Sequence, residues 1–422
     1  GLGALAPVAL PHPAQAAPED PLTVNIFHLN DSHSHLDPEL LTVDLGTGTD
    51  DPATPDVNES EVAYERGGWP RVDALIKQLR DVDHAGENNV TIHAGDAITG
   101  TSYYTLFKGE ADAALMNETC FDIFELGNHE FDDGDDDLAT FLDFLDDPDD
   151  TCDTDVLAAN VVPQVGTPLD PSDDPADDYL APYVVREFTD SAGEPQQVGF
   201  IGLDIAQKTQ ASSRPFDTTQ FLDELDTAQQ YIDELAALPT PVTNIVLVTH
   251  YGYQNDLALA AQLTGVDAIV GGDSHTLLGD PDGFGPFIEQ TEGDYATVTT
   301  NADGEPVCVV QAWQYSTIVG NLTLNFAGNG VLDAATPCAG TPNLLVGTQF
   351  FRGEDAEGNP VPVDAAEQTA IDTVLAGLAN VTAIDPNPDS QAILDGFAAE
   401  VDELRAQKIA EAAEPLCLNR LP

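Results

Sequence analysis

Five short segments of this chain carry side chains suited to binding metal ions: NDSHSH at 30–35, HAGDAITG at 93–100, ELGNHEFDDG at 125–134, VTHYG at 248–252 and GGDSHT at 271–276. Between them they offer carboxylates, imidazoles and an amide. Carboxylates can bridge two cations, and neutral imidazole suits first-row transition metals, so this mixed set points to a binuclear transition-metal site. An all-oxygen set would point to Ca or Mg instead. The candidate ligands are Asp31, His33, Asp96, Asn128, His250, Asp273 and His275. In Asp31-x-His33, alternation along a strand edge puts both side chains on one side, where they can share an ion. Asp96 follows a glycine that permits close approach and is read as the bridge between two ions. Gly127 likewise frees the backbone for a tight turn before Asn128.

Taken singly, these residues have ordinary explanations. An Asp or Asn after a strand is more often a helix N-cap or turn former, and a lone His is more often structural. What outweighs those explanations is the joint occurrence of five such segments, each with a glycine at a strand end. The elements that must position them are apolar β-rich runs: VNIFHL before Asp31, NVTIHAG before Asp96, FDIFEL before Gly127, NIVLVT before His250 and DAIVGG before Asp273. Further runs at 156–161, 198–204, 307–319 and 322–326 also read as strands. Helical spacing falls at 69–79, 110–117, 138–145, 221–237 and 257–263. This alternation predicts a layered α/β domain over 21–347, and in such folds loops at the ends of strands converge on one crevice. A Gly/Pro/Asp-rich connector, read as irregular, occupies 348–389, and a helix follows at 390–413.

The chain has 422 residues, long enough for one large α/β domain plus a remainder. Its 75 acidic and 12 basic side chains give a formal charge of -63, which argues against binding a nucleic-acid backbone or an anionic membrane. The acids are spread along the chain, with dense runs at 132–137, 143–150 and 170–178. Such a surface fits high salt, where screening relieves self-repulsion. Residues 1–20 read as the end of a signal peptide with a cleavage site at Ala14-Gln15-Ala16, which implies export to the periplasm or beyond, and the absence of an initiator Met suggests an incomplete start. No later segment has the length of uninterrupted apolar sequence needed to span a membrane. Five cysteines, none in a CxxC pair, suit disulfides in that compartment. The expected pairs are Cys120 with Cys152 and Cys308 with Cys338, leaving Cys417 over.

The ordered set Asp31-x-His33, Gly95-Asp96, Gly127-Asn128-His129-Glu130, His250 and Gly272-x-x-His275 resembles the signature of the calcineurin-like metallophosphoesterases. Within that superfamily, GNHEFD resembles the secreted bacterial 5'-nucleotidases. RGGWPRV at 66–72, YYTLFKGEADAALMN at 103–117, GGDSHTLLG and PVCVVQAW resemble the NAD nucleotidase branch. The resemblance runs from about residue 22 to the end of the chain. It implies an αββα sandwich holding two divalent ions, with Zn, Mn or Co favoured. Asp31, His33, Asp96 and His275 would hold one ion, and Asp96, Asn128, His250 and Asp273 the other. Most relatives have His where this chain has Asp273. A carboxylate is a competent ligand, and the assignment requires it to face the cluster.

The resemblance also implies a catalytic dyad of His129 and Asp132, and the physical chemistry agrees, because phosphate-ester cleavage builds charge that an oriented imidazole can stabilise. The expected reaction is hydrolysis of 5'-nucleotides and of the pyrophosphate of NAD by a metal-bound hydroxide. The alternatives are a UDP-sugar hydrolase, a cyclic-nucleotide phosphodiesterase, or a non-catalytic secreted acidic metal-binding protein. In the family a C-terminal domain recognises the base, and 390–422 reads as the linker helix and start of that domain, with the rest missing. Among other residues, His35 reads as a loop residue within reach of the cluster, and Asn160 as a supporting group. His28, His84 and His93 read as structural, and Trp313 and Tyr315 as core or interface aromatics.

Overall fold

The computed structural model describes residues 20–48, 61–146, 152–172, 174, 178–328, 330–354 and 359–406. Nearly all of the expected signal-peptide remnant, Cys417 and parts of the acidic runs lie outside those residues.

Two sheets face each other. In the first, the strand order is Glu39–Asp44, Glu61–Arg66, Cys338–Glu354, Ile318–Phe326, Leu22–Leu29, Asn89–Ala94, Ile123–Glu125 and Asp155–Leu157. In the second it is Thr297–Thr300, Pro306–Val310, Ala268–Gly271, Asn244–His250, Pro195–Asp204 and Tyr183–Thr189. Each sheet has a parallel half. Leu22–Leu29, Asn89–Ala94, Ile123–Glu125 and Asp155–Leu157 run together in one, and Pro195–Asp204, Asn244–His250, Ala268–Gly271 and Pro306–Val310 in the other. These strands are covered on both faces, so they read as continuous apolar runs rather than alternating ones. Every residue of Asn244–His250 is buried.

The inner faces close a core that includes Val24, Ile26, Ile92 and Ile123 from one sheet and Phe200, Val246, Val248 and Val270 from the other. The helices Trp69–Gln78, Glu110–Thr119 and Asp135–Leu145 pack on the outer face of the first sheet around Phe27, Phe124 and Phe141. Glu224–Ala236 and Tyr253–Ala260 cover the second through Ile232, Leu235 and Leu259. The result is the expected αββα sandwich. Disulfides join Cys120 to Cys152 and Cys308 to Cys338, and the second links a strand of one sheet to a strand of the other.

The structure corrects several local readings. The 348–389 connector is largely regular. It contains the end of Cys338–Glu354, the strand Pro360–Pro362, the helix Ala365–Leu375 and the strand Val381–Ala383, which pairs in parallel with Cys338–Glu354. These elements are short and find their partners far away in sequence, so composition alone concealed them. The following helix, Pro388–Arg405, is capped by the Asn387 side chain. It packs onto the domain, burying Leu394 and Val401 in the same cluster as Trp69, with Phe397 edge-on to Phe107 at 4.9 Å. Residues 407–413 of the expected helix lie outside the described residues. The 307–319 stretch is two strands of different sheets, Pro306–Val310 and Ile318–Phe326, joined by a turn with positive φ at Trp313, Tyr315 and Ser316. The 156–161 run divides between Asp155–Leu157 and a small separate pairing of Val161–Val162 with Gln220–Phe221. The helix expected at 257–263 is Tyr253–Ala260. Among the described residues no helix is long and apolar enough to cross a membrane.

Candidate metal centre

The parallel strands of both sheets end at the same edge of the sandwich, and the candidate ligands sit there. Asp31 lies two residues beyond Leu22–Leu29, Asp96 two beyond Asn89–Ala94, and Asn128 three beyond Ile123–Glu125. His250 is the last residue of its own strand, and Asp273 and His275 follow Ala268–Gly271. One hydrogen bond shows how closely the sheets approach: His250 Nδ1 lies 2.8 Å from the Ala94 carbonyl oxygen of the opposite sheet. A carbonyl can only accept, so Nδ1 carries the proton and Nε2 is left facing the cluster. Gly127 permits this approach, because a Cβ there would lie 2.7 Å from the Asp96 backbone nitrogen and 2.8 Å from the His250 ring.

The backbone is held in an unusual form at these turns. Asp31, His33, Asp96, Asp273 and His275 all have φ between 49° and 73°. Left-handed conformation at residues other than glycine costs on the order of 1–2 kcal/mol each and persists only where the surroundings impose it. Those surroundings are visible. Asp31 N, His33 N and Ser34 N donate to the carbonyls of Gly95, Asp96 and Ala97, zipping the two loops together. The buried Glu130 carboxylate accepts from Asp96 N at 2.9 Å, Ala97 N at 2.8 Å and Gly127 N at 2.7 Å. Asn30 donates to Asp31 Oδ2 at 2.6 Å and to the Trp313 carbonyl at 2.8 Å.

Asp31 Oδ1 lies 3.1 Å from His275 Nε2 and 3.7 Å from both His33 Nε2 and His250 Nε2. Asp96 Oδ2 is 2.9 Å from His250 Nε2 and 3.7 Å from His33 Nε2. Ligand atoms therefore converge in overlapping sets: Asp31, His33 and His275; Asp31, Asp96 and His250; and His33, Asp96 and His129. Burial would raise both carboxyls. The neighbouring imidazoles instead hold Asp31 well below the usual carboxylate range and bring Asp96 down to about 2. The same contacts raise His250 and His275 against the opposing effect of burial. Concentrated negative charge therefore draws protons onto imidazoles, and divalent cations satisfy the same demand. The buried Asn128 side-chain oxygen accepts no hydrogen bond among the described residues, as fits a metal ligand. The donor set fits a pair of divalent ions.

Asp273 is placed differently. Its backbone N–H donates to Asp31 Oδ2 at 3.0 Å, but its carboxylate is ion-paired with Lys208 and belongs to none of the convergent sets. Lys208 was not visible in the motifs, because it lies on a separate short helix, Ala206–Ser212.

His129 and Asp132 are joined by a 2.7 Å contact from Nδ1 to Oδ2, and His129 N donates to Asp96 Oδ1 at 2.8 Å. The hydrogen bond to Asp132 raises the His129 pKa, with burial opposing. Ser213 adds a contact that sequence reading missed: its Oγ lies 2.9 Å from Asp132 Oδ1 and 2.7 Å from the Asn128 carbonyl. Gln314, also missed, holds His275 Nδ1. A serine or glutamine in a distant loop carries no sequence signal of this kind.

All of this opens into a cleft of about 530 Å³ lined by His33, His35, Asp96, His129, Asp273 and Tyr315 among others. Tyr315 is therefore a cleft residue rather than a core aromatic, stacked on His35 with ring centroids 4.0 Å apart. Trp313 is half-buried beneath the Arg66 guanidinium. Asn160 braces a turn by bonding Asp204 N and O and does not touch the ligands. His28 is buried against Tyr295, and His93 against Ser32, which adjoins Asp31; burial brings both down to about 3 and keeps them neutral. His84 pairs with Glu87 away from the cleft.

Fold and donor set together define an αββα protein built around a metal-binding cluster. A family model described as calcineurin-like phosphoesterase matches residues 24–277, and the chain belongs to that family. It is 34% identical over 391 residues to a probable 5'-nucleotidase of Treponema pallidum, covering 92% of this chain and 58% of that protein. It is 32% identical over 387 residues to the NAD 5'-nucleotidase of Haemophilus influenzae, covering 92% and 57%. Among solved structures, Haemophilus influenzae NAD nucleotidase superposes with a TM-score of 0.74 at 30% identity, covering 92% of this chain and 62% of that one. A 5'-nucleotidase precursor from Thermus thermophilus gives 0.67 at 30% identity, covering 92% and 61%. The chain thus spans less than two thirds of the length of these relatives.

Proposed function

We propose that this chain carries the catalytic domain of an exported nucleotide hydrolase that cleaves phosphate esters of 5'-nucleotides and the pyrophosphate of NAD. The observation that carries this reading is the convergence of Asp31, His33, Asp96, His250 and His275 at one edge of the sandwich, with the His129–Asp132 pair facing the same cleft. The relatives named as 5'-nucleotidase and NAD nucleotidase support the substrate class, and the two disulfides support export.

Asp31, His33, Asp96 and His275 would hold one divalent ion, and Asp96, Asn128 and His250 the other, with Asp273 beside it; Zn, Mn or Co fits this mixture of donors. When bound, such ions lower the pKa of a water and neutralise phosphate charge. The remaining work falls to the chain's own groups. His129, whose pKa is raised by its hydrogen bond to Asp132, presents a donor to the oxygens on which charge builds. Ser213 holds Asp132 in place. Glu130 fixes the Asp96 loop by accepting three backbone N–H groups, so the site reorganises little as charge develops.

The test is a substrate panel of AMP, NAD, UDP-glucose and an aryl phosphate, offered to the metal-loaded protein while phosphate and nucleotide products are measured. Release of phosphate from AMP and cleavage of NAD into two mononucleotides are expected. Turnover of UDP-glucose alone would move the assignment to the sugar-nucleotide class, and no turnover of any ester would reject it.

A further inference from the structure

We propose that Lys208 is a substrate-recognition residue, whose ammonium leaves Asp273 to take a phosphate oxygen when substrate enters the cleft. The inference rests on the phosphoesterase reading above and assigns that site a group beyond its metal ligands and dyad.

Positive side chains are scarce in this protein, 12 against 75 acidic ones. Among the described residues lining the cleft, Lys208 is the one Lys or Arg. Its placement is built into the fold. The helix Ala206–Ser212 follows directly on the strand Pro195–Asp204. Its start is anchored by Glu224, which accepts from Ala206 N at 2.9 Å, and Thr209 donates to Asp204 at 2.7 Å. Asn160 grips both backbone groups of Asp204. Lys208 is thus delivered to the cleft by a braced turn, while its side chain remains 40% exposed.

The rest of the lining explains why such a charge is useful. Asp96, Asp132 and Asp273 all face the cleft and repel an incoming phosphate. Asp273 is the ammonium's partner. A divalent ion bound at the cluster would compete for the same carboxylate and loosen its hold on Lys208. An ammonium on a flexible four-carbon stem is a mobile point charge suited to following a phosphate oxygen.

The experiment loads the 422-residue chain and its Lys208→Met, Lys208→Gln and Lys208→Arg variants with Mn²⁺. Each is titrated with inorganic phosphate by calorimetry, with metal content and melting temperature measured on the same samples. Neutral variants that keep their metal and melting temperature should bind phosphate about 10- to 100-fold more weakly, the usual effect of losing a hydrogen bond to a charged group. The Arg variant should recover most of the affinity. Phosphate affinity within about twofold of wild type would overturn the proposal. So would a loss of metal in the neutral variants, because Lys208 would then act only by holding Asp273. A wild-type chain that takes no phosphate and hydrolyses no ester would instead bring down the phosphoesterase reading as well, and wild type alone shows that.

Discussion

At the scale of single residues, His129 depends on its neighbours for its charge. The Asp132 hydrogen bond raises its pKa above the ordinary value of 6.5, while burial pulls the other way. The protonated form therefore survives to higher pH than in a free histidine, and activity that needs the imidazolium falls off on the alkaline side as pH rises through that raised pKa. Asp132→Asn removes the main cause of the increase, so the alkaline limb of the pH–rate profile should move to lower pH. The maximal rate should fall by about 100-fold, within the usual range for a positioned acid. Ser213→Ala keeps the carboxylate but loosens its hold on His129, and should shift the limb in the same direction by less. An unmoved alkaline limb in Asp132→Asn would separate His129 from the pH dependence. The residues that converge at the cleft were legible in the sequence because candidate ion ligands are particular residue types, here at strand ends beside glycines, and the family resemblance singled out His129 and Asp132. Ser213, Gln314 and Lys208 were not, because their roles come from contacts between segments far apart in the chain. Asp273 marks the boundary: its motif placed it at the cluster, but its pairing with Lys208 could be seen only in the folded chain.

At the scale of elements, the positions of the ligands follow from strands that end together. The strand runs were legible because parallel strands buried on both faces are almost wholly apolar. The connector was misread because Val381–Ala383 and Pro360–Pro362 are too short to show periodicity and gain their structure from Cys338–Glu354. The turn at Trp313–Ser316 was hidden for another reason: its positive φ values fall on residues that do not advertise them. The helix Pro388–Arg405 has its own testable consequence. Leu394 is 1% exposed, within the cluster that holds Trp69 and Leu115. Leu394→Ala should therefore cost about 2–5 kcal/mol, as for other large-to-small core changes. Thermal melting should show a clear drop. A change below about 0.5 kcal/mol, the range of surface substitutions, would mean that this helix docks only loosely.

At the scale of the whole molecule, the formal charge of -63 sets the conditions for stability. Self-repulsion among carboxylates is screened by salt, since the Debye length falls from about 10 Å at 0.1 M to about 3 Å at 1 M. Raising salt from dilute buffer to molar concentration should lift the melting temperature by at least about 5 °C, on the order of 4 kcal/mol for a chain of this size. Equal midpoints would remove the case for adaptation to high salt. That same negative charge opposes entry of the anionic substrates proposed above, and bound divalent ions would offset it locally. The most direct test is the number of divalent ions retained per chain after loading with Mn²⁺ or Zn²⁺ and desalting, for wild type and Asp96→Asn. Two ions in wild type and fewer than one in Asp96→Asn are predicted, because Asp96 belongs to two of the convergent ligand sets and is proposed to serve both positions. No retained ions, or a complement unchanged by Asp96→Asn, would contradict the two-ion site.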